Sequence, residues 1–217
     1  MDRNQKHLNH IDAINLGSYY TPEIIVDLTY SILQKNIKTI KDFTILDSSC
    51  GYGSFLAKDG IAKRLIGADI DQIAISEAKK ITNGVDFIYQ NSLSNVCRKN
   101  LDIKNEEKLI IIGNPPYNDT SSIIRNSIKD VAVQNKIDFD IKTRDLGMSF
   151  LLSYDKIQAD YVCVLHPFSY LIKKANFSLL SKFVQNYKLT DGIIISSHEF
   201  SATSRGMAVP ILVALYK

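Results

Sequence analysis

The stretch KLIIIGNPPYND, Lys108 to Asp119, runs four apolar residues through a glycine into an asparagine, two prolines and a tyrosine. A short, unbroken apolar run bounded by turn residues predicts a strand buried on both faces, as in a parallel sheet. Proline has no N–H to give a sheet ladder, so Pro115 and Pro116 must end that strand. The prolines then make a rigid turn at its carboxyl end, displaying one amide, Asn114, and one ring, Tyr117.

Outward from this point the chain alternates strands and helices. Upstream, FTILD (Phe43–Asp47), LIGADI (Leu65–Ile70) and VDFIY (Val85–Tyr89) read as strands. A glycine turn and short helix are expected in GYGSFLAKDGIAKRL, and a further helix in QIAISEAKKI. Ahead of them, Thr21-Pro22-Glu23 reads as a helix opening, with Ile24, Ile25, Leu28 and Ile32 near a 3.6 period. Downstream, residues 118–144 read as a long loop containing some helix, DLGMSFLLSYDKIQ as a helix, DYVCVLH as a strand and FSLLSKFVQNY as a helix. DGIIIS and AVPILVALY close the chain as two adjacent antiparallel strands. This pattern predicts an α/β domain with a mainly parallel seven-stranded sheet and a C-terminal antiparallel hairpin.

Composition sets the broad class. The 217 residues are 45% hydrophobic and 23% charged, enough for one large domain with its own core. A net charge of +3 is compatible with a nucleic-acid partner without requiring one. Cys50, Cys97 and Cys163 lie far apart with no C-x-x-C spacing, which suggests neither a disulfide framework nor a zinc site. The polar start MDRNQKHLNHID is unlike a signal peptide, and no apolar run approaches the roughly 20 residues of a membrane span. A cytoplasmic protein is expected, with residues 1–16 a polar extension and 17–217 the working domain.

In such sheets the ligand site lies beyond the carboxyl ends of the strands, where strand order reverses. LDSSCGYGSFL puts Asp47 at a strand end, with Gly51 and Gly53 in the turn that follows, where backbone can come close to a ligand. Leu56 stands where a third glycine of G-x-G-x-x-G would be, so an ordinary tight turn is equally open. Asp69, eighteen residues after Gly51, ends the next strand and is placed to accept from both hydroxyls of a ribose. Asp71 reads as the N-cap of the next helix. Asn91, at the third strand end, could meet an adenine edge or be a plain turn asparagine. Together these strand ends outline a pocket for an adenosine-containing cofactor.

Asn114-Pro115-Pro116-Tyr117 after LDSSCGYGSFL and GADID resembles the amino-methyltransferases that use S-adenosylmethionine, and more narrowly the adenine-specific DNA methyltransferases of restriction–modification systems. SYYTPEIIV matches the Tyr-Thr-Pro element of that group at Tyr20, Thr21 and Pro22. The resemblance implies a three-layer, Rossmann-like class I methyltransferase fold. It also implies methyl transfer to the N6 amino group of adenine in double-stranded DNA, with no metal. Asn114 and the Pro115 carbonyl would accept from the amino group, Pro116 would hold the turn, and Tyr117 would stack on the flipped base. Tyr20, Thr21, Pro22, Asp47, Gly51, Gly53, Asp69 and Asn91 would line the cofactor. Phe200 would offer a second aromatic face, a role for which Phe168 competes and against which a core position weighs.

Departures from the family pattern are Ser48, where proline usually follows the acid, and Asn91, where an acid is usual. His166 invites an acid–base role, but a core or capping histidine is the commoner outcome. Cys50 reads as a small buried residue. Arg125, Lys129, Lys136, Lys142 and Arg144, interleaved with acids, could touch phosphates or form a solvated loop. Relatives in this group usually carry a target-recognition domain, so a separate or C-terminal domain or subunit is expected to supply sequence recognition. A release-factor glutamine or an RNA base as acceptor, or a non-catalytic binding module, are the alternative readings; Tyr-Thr-Pro argues against the first two and the intact Asn114–Tyr117 turn against the third.

Overall fold

The apolar runs form strands, and the central ones alternate residue by residue between two cores. The computed structural model describes residues 21–117, 136–200 and 208–217. Its strands are β1 (Thr44–Asp47), β2 (Arg64–Asp69), β3 (Val85–Tyr89), β4 (Leu109–Gly113), β5 (Tyr161–Pro167), β6 (Leu189–Ser196) and β7 (Pro210–Tyr216). They form one sheet in the order β3-β2-β1-β4-β5-β7-β6. Pairings among β1 to β5 are parallel, and β7 runs antiparallel between β5 and β6. The expected seven strands and closing hairpin are therefore present.

In β4, Leu109 and Ile111 enter the core on one face of the sheet, and Ile110 and Ile112 enter the core on the other. Burial on both sides explains why this strand is apolar throughout rather than alternating. Helix α1 (Glu23–Asn36) covers the second face through Ile25, Val26, Thr29, Tyr30, Ile32 and Leu33. Pro22 is its N-cap, with its carbonyl accepting from Ile25 and Val26 N–H at 3.0 and 3.2 Å. Helix α2 (Gln72–Ile81) lies on the same face through Ile75 and Ala78. Its cap is Asp71, as expected, whose side chain accepts from Ile73 and Ala74 N–H.

The first face is covered by α3 (Leu146–Lys156), α4 (Ser169–Ile172), α5 (Lys174–Leu179) and α6 (Ser181–Asn186). Two expectations need correction here. The segment after the glycine turn holds only a 3-10 turn, Ser54–Leu56, because Gly51, Gly53 and Gly60 all take positive φ and interrupt helical hydrogen bonding. The helix expected over FSLLSKFVQNY is broken into α5 and α6 at Leu180, which is 2% exposed and turns into the core.

Strand order reverses between β1 and β4, which pair directly, with Asp47 level with Ile112. That reversal point is where a parallel sheet opens a crevice for ligands. Asp47 ends β1 and Asn114 follows β4, so both stand at its mouth.

Candidate active site

The glycine turn is held from both sides of the sheet edge. Cys50 N–H donates to the Ala68 carbonyl at 3.0 Å, and Gly53 N–H returns to the Cys50 carbonyl at 2.7 Å. From α1, Tyr30 Oη donates to the Phe55 carbonyl at 2.6 Å, so the helix that opens at Thr21-Pro22 also clamps the turn. Gly51 and Gly53 adopt φ of +51° and +74°, a conformation costly for other residues.

Asp69 bridges the turn to the next loop. One carboxyl oxygen accepts Gly51 N–H at 2.8 Å and the other accepts Asp71 N–H at 2.9 Å. A carboxylate offers about four acceptor positions, so roughly two remain for a pair of hydroxyls. Burial nonetheless raises the Asp69 pKa, against the lowering effect of these N–H donors.

Asp47 is more deeply enclosed, at 2% exposure, with Ser49 N–H donating to Oδ1 at 3.2 Å. Burial, reinforced by the charge of Asp69, pushes its pKa up to about 8. Gly113 makes this closeness possible: a Cβ there would lie 2.6 Å from Asp47 Oδ1, at a φ of +140°. Nothing in the local sequence marks Gly113, because its role depends on the neighbouring strand. Ser48, the residue that departs from the family pattern, hydrogen-bonds the buried Tyr154 hydroxyl at 2.9 Å.

Asn114 stands beyond β4 with its side chain fixed. Its Nδ2 donates to Thr21 Oγ1 at 3.4 Å, while its Oδ1 is buried with no hydrogen-bond partner among the described residues. A buried acceptor left unmatched costs about 1–3 kcal/mol, so Asn114 Oδ1, like the unmatched Ser49 and Ser92 hydroxyls, is a candidate to receive a donor. Pro115 is buried behind it, while Pro116 and Tyr117 are partly exposed. Tyr117 packs against the cores on both faces of the sheet, as expected of a side chain at its carboxyl edge.

Thr21, Asp47, Gly51, Gly53, Asp69 and Asn114 are thus tied together across three neighbouring strand ends. Pro22 joins them through α1, and Tyr20 lies outside the described residues. Asn91 uses its Oδ1 to accept Leu93 N–H at 3.0 Å, a turn role. Phe200 is 7% exposed in the α1-side core, the burial of a packing residue. Phe168 is half-buried and packs on the opposite core, which Tyr117 also touches.

His166 is 1% exposed, with its Nδ1–H donating to the Pro167 carbonyl at 3.0 Å and Nε2 accepting from Tyr216 Oη at 2.7 Å. Burial lowers its pKa to about 4, so it is a neutral core histidine at ordinary pH. Burial together with Asp69 and Asp47 raises the Cys50 thiol well above its usual range. Among the described residues no group of three His, Cys, Asp or Glu side chains is arranged to hold a metal ion. No described helix is long and apolar enough to cross a membrane. Of the basic loop residues, Arg125 and Lys129 lie outside the described residues.

The architecture and the three-strand site define a class I S-adenosylmethionine-dependent methyltransferase fold. A structure from Listeria monocytogenes described as such an enzyme aligns with a TM-score of 0.67 and 17% identity, over 99% of this chain and 64% of that one. A type I restriction–modification methyltransferase subunit from Streptococcus thermophilus aligns at 0.62 and 17% identity, over 91% of this chain and 44% of that one. The type IIL restriction–modification enzyme MmeI, in complex with DNA, gives 0.62 and 14%, over 98% and 38%. The chain therefore spans less than two-thirds of the length of each. The model of the N-6 DNA methylase family matches residues 6–180, and the chain belongs to that family. No curated protein sequence matches it.

S-adenosylmethionine is the cofactor of this fold class, and the residues present fit it. The positive-φ glycine turn leaves room for close backbone approach, Asp69 keeps acceptor capacity for two hydroxyls, and the Asp47–Asp69 pair favours a cationic ligand.

Proposed function

We propose that the protein methylates the N6 amino group of adenine in DNA, as the modification enzyme of a restriction–modification system. The observation that carries the reading is the buried, unmatched Oδ1 of Asn114, beside a proline-fixed carbonyl, in a chain of the N-6 DNA methylase family. Residues 17–217 are taken as the catalytic domain, with a separate or C-terminal unit reading the DNA sequence.

An exocyclic amino group is a poor nucleophile because its lone pair is delocalised into the ring. Two acceptors set against its N–H bonds favour tetrahedral nitrogen and stabilise the positive charge that develops there. Asn114 Oδ1 is one acceptor and the Pro115 carbonyl the other. Thr21 holds the Asn114 amide in orientation, and Pro115 and Pro116 fix the backbone in advance. Tyr117 supplies a face for the base once it leaves the duplex stack. Asp69 receives the ribose hydroxyls, and Asp47 faces the cationic end of the ligand. When bound, S-adenosylmethionine supplies an electrophilic methyl group.

The test is to offer methyl-labelled cofactor with DNA, RNA and a release factor in parallel. Label in adenine of DNA is expected, and label confined to RNA or to the release factor would overturn the proposal. Asn114→Ala should lower the rate by about 100-fold or more while calorimetry still records cofactor binding. Methylation by that variant at the parent rate would rule out the role given to Asn114.

A further inference from the structure

Three side chains meet at one glycine: Tyr117 of the methyl-transfer turn, and Tyr170 and Asp145 outside it. Gly147, the second residue of α3, faces the Tyr117 side chain: a Cβ built on it would lie 3.0 Å from Tyr117 Cβ. The same Cβ would lie 2.5 Å from Tyr170 Oη and 3.3 Å from Asp145 Oδ1. Asp145 caps α3, its Oδ1 accepting Gly147 N–H at 2.9 Å and Met148 N–H at 3.4 Å, and it also accepts from the Tyr170 hydroxyl.

Tyr170 is itself anchored. It is 1% exposed and stacks on His166, with ring centres 5.3 Å apart and planes 7° from parallel. The neutral His166 ring is held in turn by Tyr216 on β7. A chain of fixed side chains therefore runs from β7 through β5 and α4 to the cap of α3, and ends against Tyr117.

We propose that Gly147 and the Tyr170–Asp145 pair are positioning residues that seat Tyr117 at the height needed to stack on a flipped adenine. The proposal rests on the reading of Tyr117 as the stacking ring. Two observations favour seating over packing alone. The Asp145 cap already has two backbone donors, so the Tyr170 hydroxyl is not needed to complete it. Glycine in the first turn of a helix brings no gain in helix propensity, whereas here it admits the Tyr117 and Tyr170 side chains together. Tyr117 is also three residues from Asn114 across two prolines, so its seat fixes the far end of the turn that carries the acceptors.

The experiment compares the parent with Gly147→Ala, Tyr170→Phe and the double variant. It measures cofactor affinity by calorimetry and the rate of N6-methyladenine formation. It also follows fluorescence from 2-aminopurine placed at the adenine that the parent methylates. Gly147→Ala should keep cofactor affinity within about twofold, lose about tenfold or more in kcat, and change the 2-aminopurine signal. Tyr170→Phe keeps the ring stack and should lose less, about threefold, in kcat alone.

The double variant removes the hydroxyl that the new Cβ would strike and leaves the 3.0 Å contact with Tyr117 and a looser one of 3.3 Å with Asp145 Oδ1. It keeps the test decisive if Gly147→Ala folds poorly, and it should be stable with kcat still low. A folded double variant with the parent's kcat and 2-aminopurine signal would overturn the proposal. So would losses in which cofactor affinity, kcat and melting temperature fall together, since that is general damage to packing. A parent that labels no adenine removes the functional reading and this inference with it, whereas an active parent matched by its variants removes this inference alone.

Discussion

Replacing Asp47 by asparagine should make the protein more stable and a weaker binder of its cofactor, with both effects set by pH. The side chain is 2% exposed, and burial with the nearby Asp69 charge raises its pKa from 3.8 to about 8. Every tenfold strengthening of proton affinity corresponds to about 1.4 kcal/mol of preference for the protonated form. The folded state holds this proton at pH values where the unfolded chain has lost it. Stability is therefore fully present below about pH 4 and falls as pH rises to about 8. Against an uncharged isostere, the cost of Asp47 is at most about 1.6 kcal/mol at pH 5 and about 5 kcal/mol at pH 8.

Asparagine keeps an oxygen to accept Ser49 N–H and cannot ionise. Urea denaturation of Asp47→Asn and the parent should thus differ little at pH 5 and diverge by several kcal/mol at pH 8, with the variant the more stable. Cofactor binding should move in the opposite sense. A cationic ligand favours the ionised form, so the parent should release a proton on binding near neutral pH, detectable by calorimetry in buffers of different ionisation enthalpy. Its affinity should also climb with pH up to about 8. The variant should show less proton release and a weaker pH dependence, with only Asp69, also raised by burial, left to titrate between the pair. A stability difference that stays constant from pH 5 to pH 8 would refute the reasoning.

Gly113→Ala should destabilise the fold by about 2 kcal/mol or more, because its Cβ would sit 2.6 Å from Asp47 Oδ1 at a φ of +140° that alanine resists. Chemical denaturation at neutral pH checks this, and parent-like stability would contradict the contact. His166→Gln should remove an acid-linked loss of stability. With its pKa lowered from 6.5 to about 4, the parent histidine is uncharged when folded but protonates when unfolded, so its own contribution to stability falls as pH drops through that window, opposite in sign to that of Asp47. The loss is at most about 3 kcal/mol, and a variant whose stability declines as steeply as the parent's between pH 6.5 and 4 would exclude His166 as its source.

The central strands were legible because burial on both faces leaves continuous apolar runs, of which Leu109–Ile112 is the plainest. Asp47, Asp69 and Asn114 were legible for a different reason: each directly ends or follows such a run, and a parallel sheet collects those ends on one edge. What could not be read are contacts between distant positions. Thr21 meets Asn114 across 93 residues and Ser48 meets Tyr154 across 106, and no local period encodes either pairing. Gly147 looks like an unremarkable residue near a helix start until Tyr117 is placed beside it. Phe200 was ambiguous because an aromatic near a hairpin suits a core more often than a base pocket but can serve either, and its 7% exposure is that of a core position.

These distant contacts also tie the two halves of the site to one group. Asp47 lies in β1, between β2, which ends in Asp69, and β4, which leads to Asn114. It senses Asp69 through charge, and it abuts Gly113, the residue immediately before Asn114. A cation that ionises Asp47 places new charge against that backbone joint. On the roles proposed for these residues, cofactor occupancy would be felt at Asn114 without movement of the sheet. By linkage, any effect of the cofactor on adenine binding must be matched by an equal effect of adenine on cofactor binding. If Asp47 carries this coupling, Asp47→Asn should reduce both effects together.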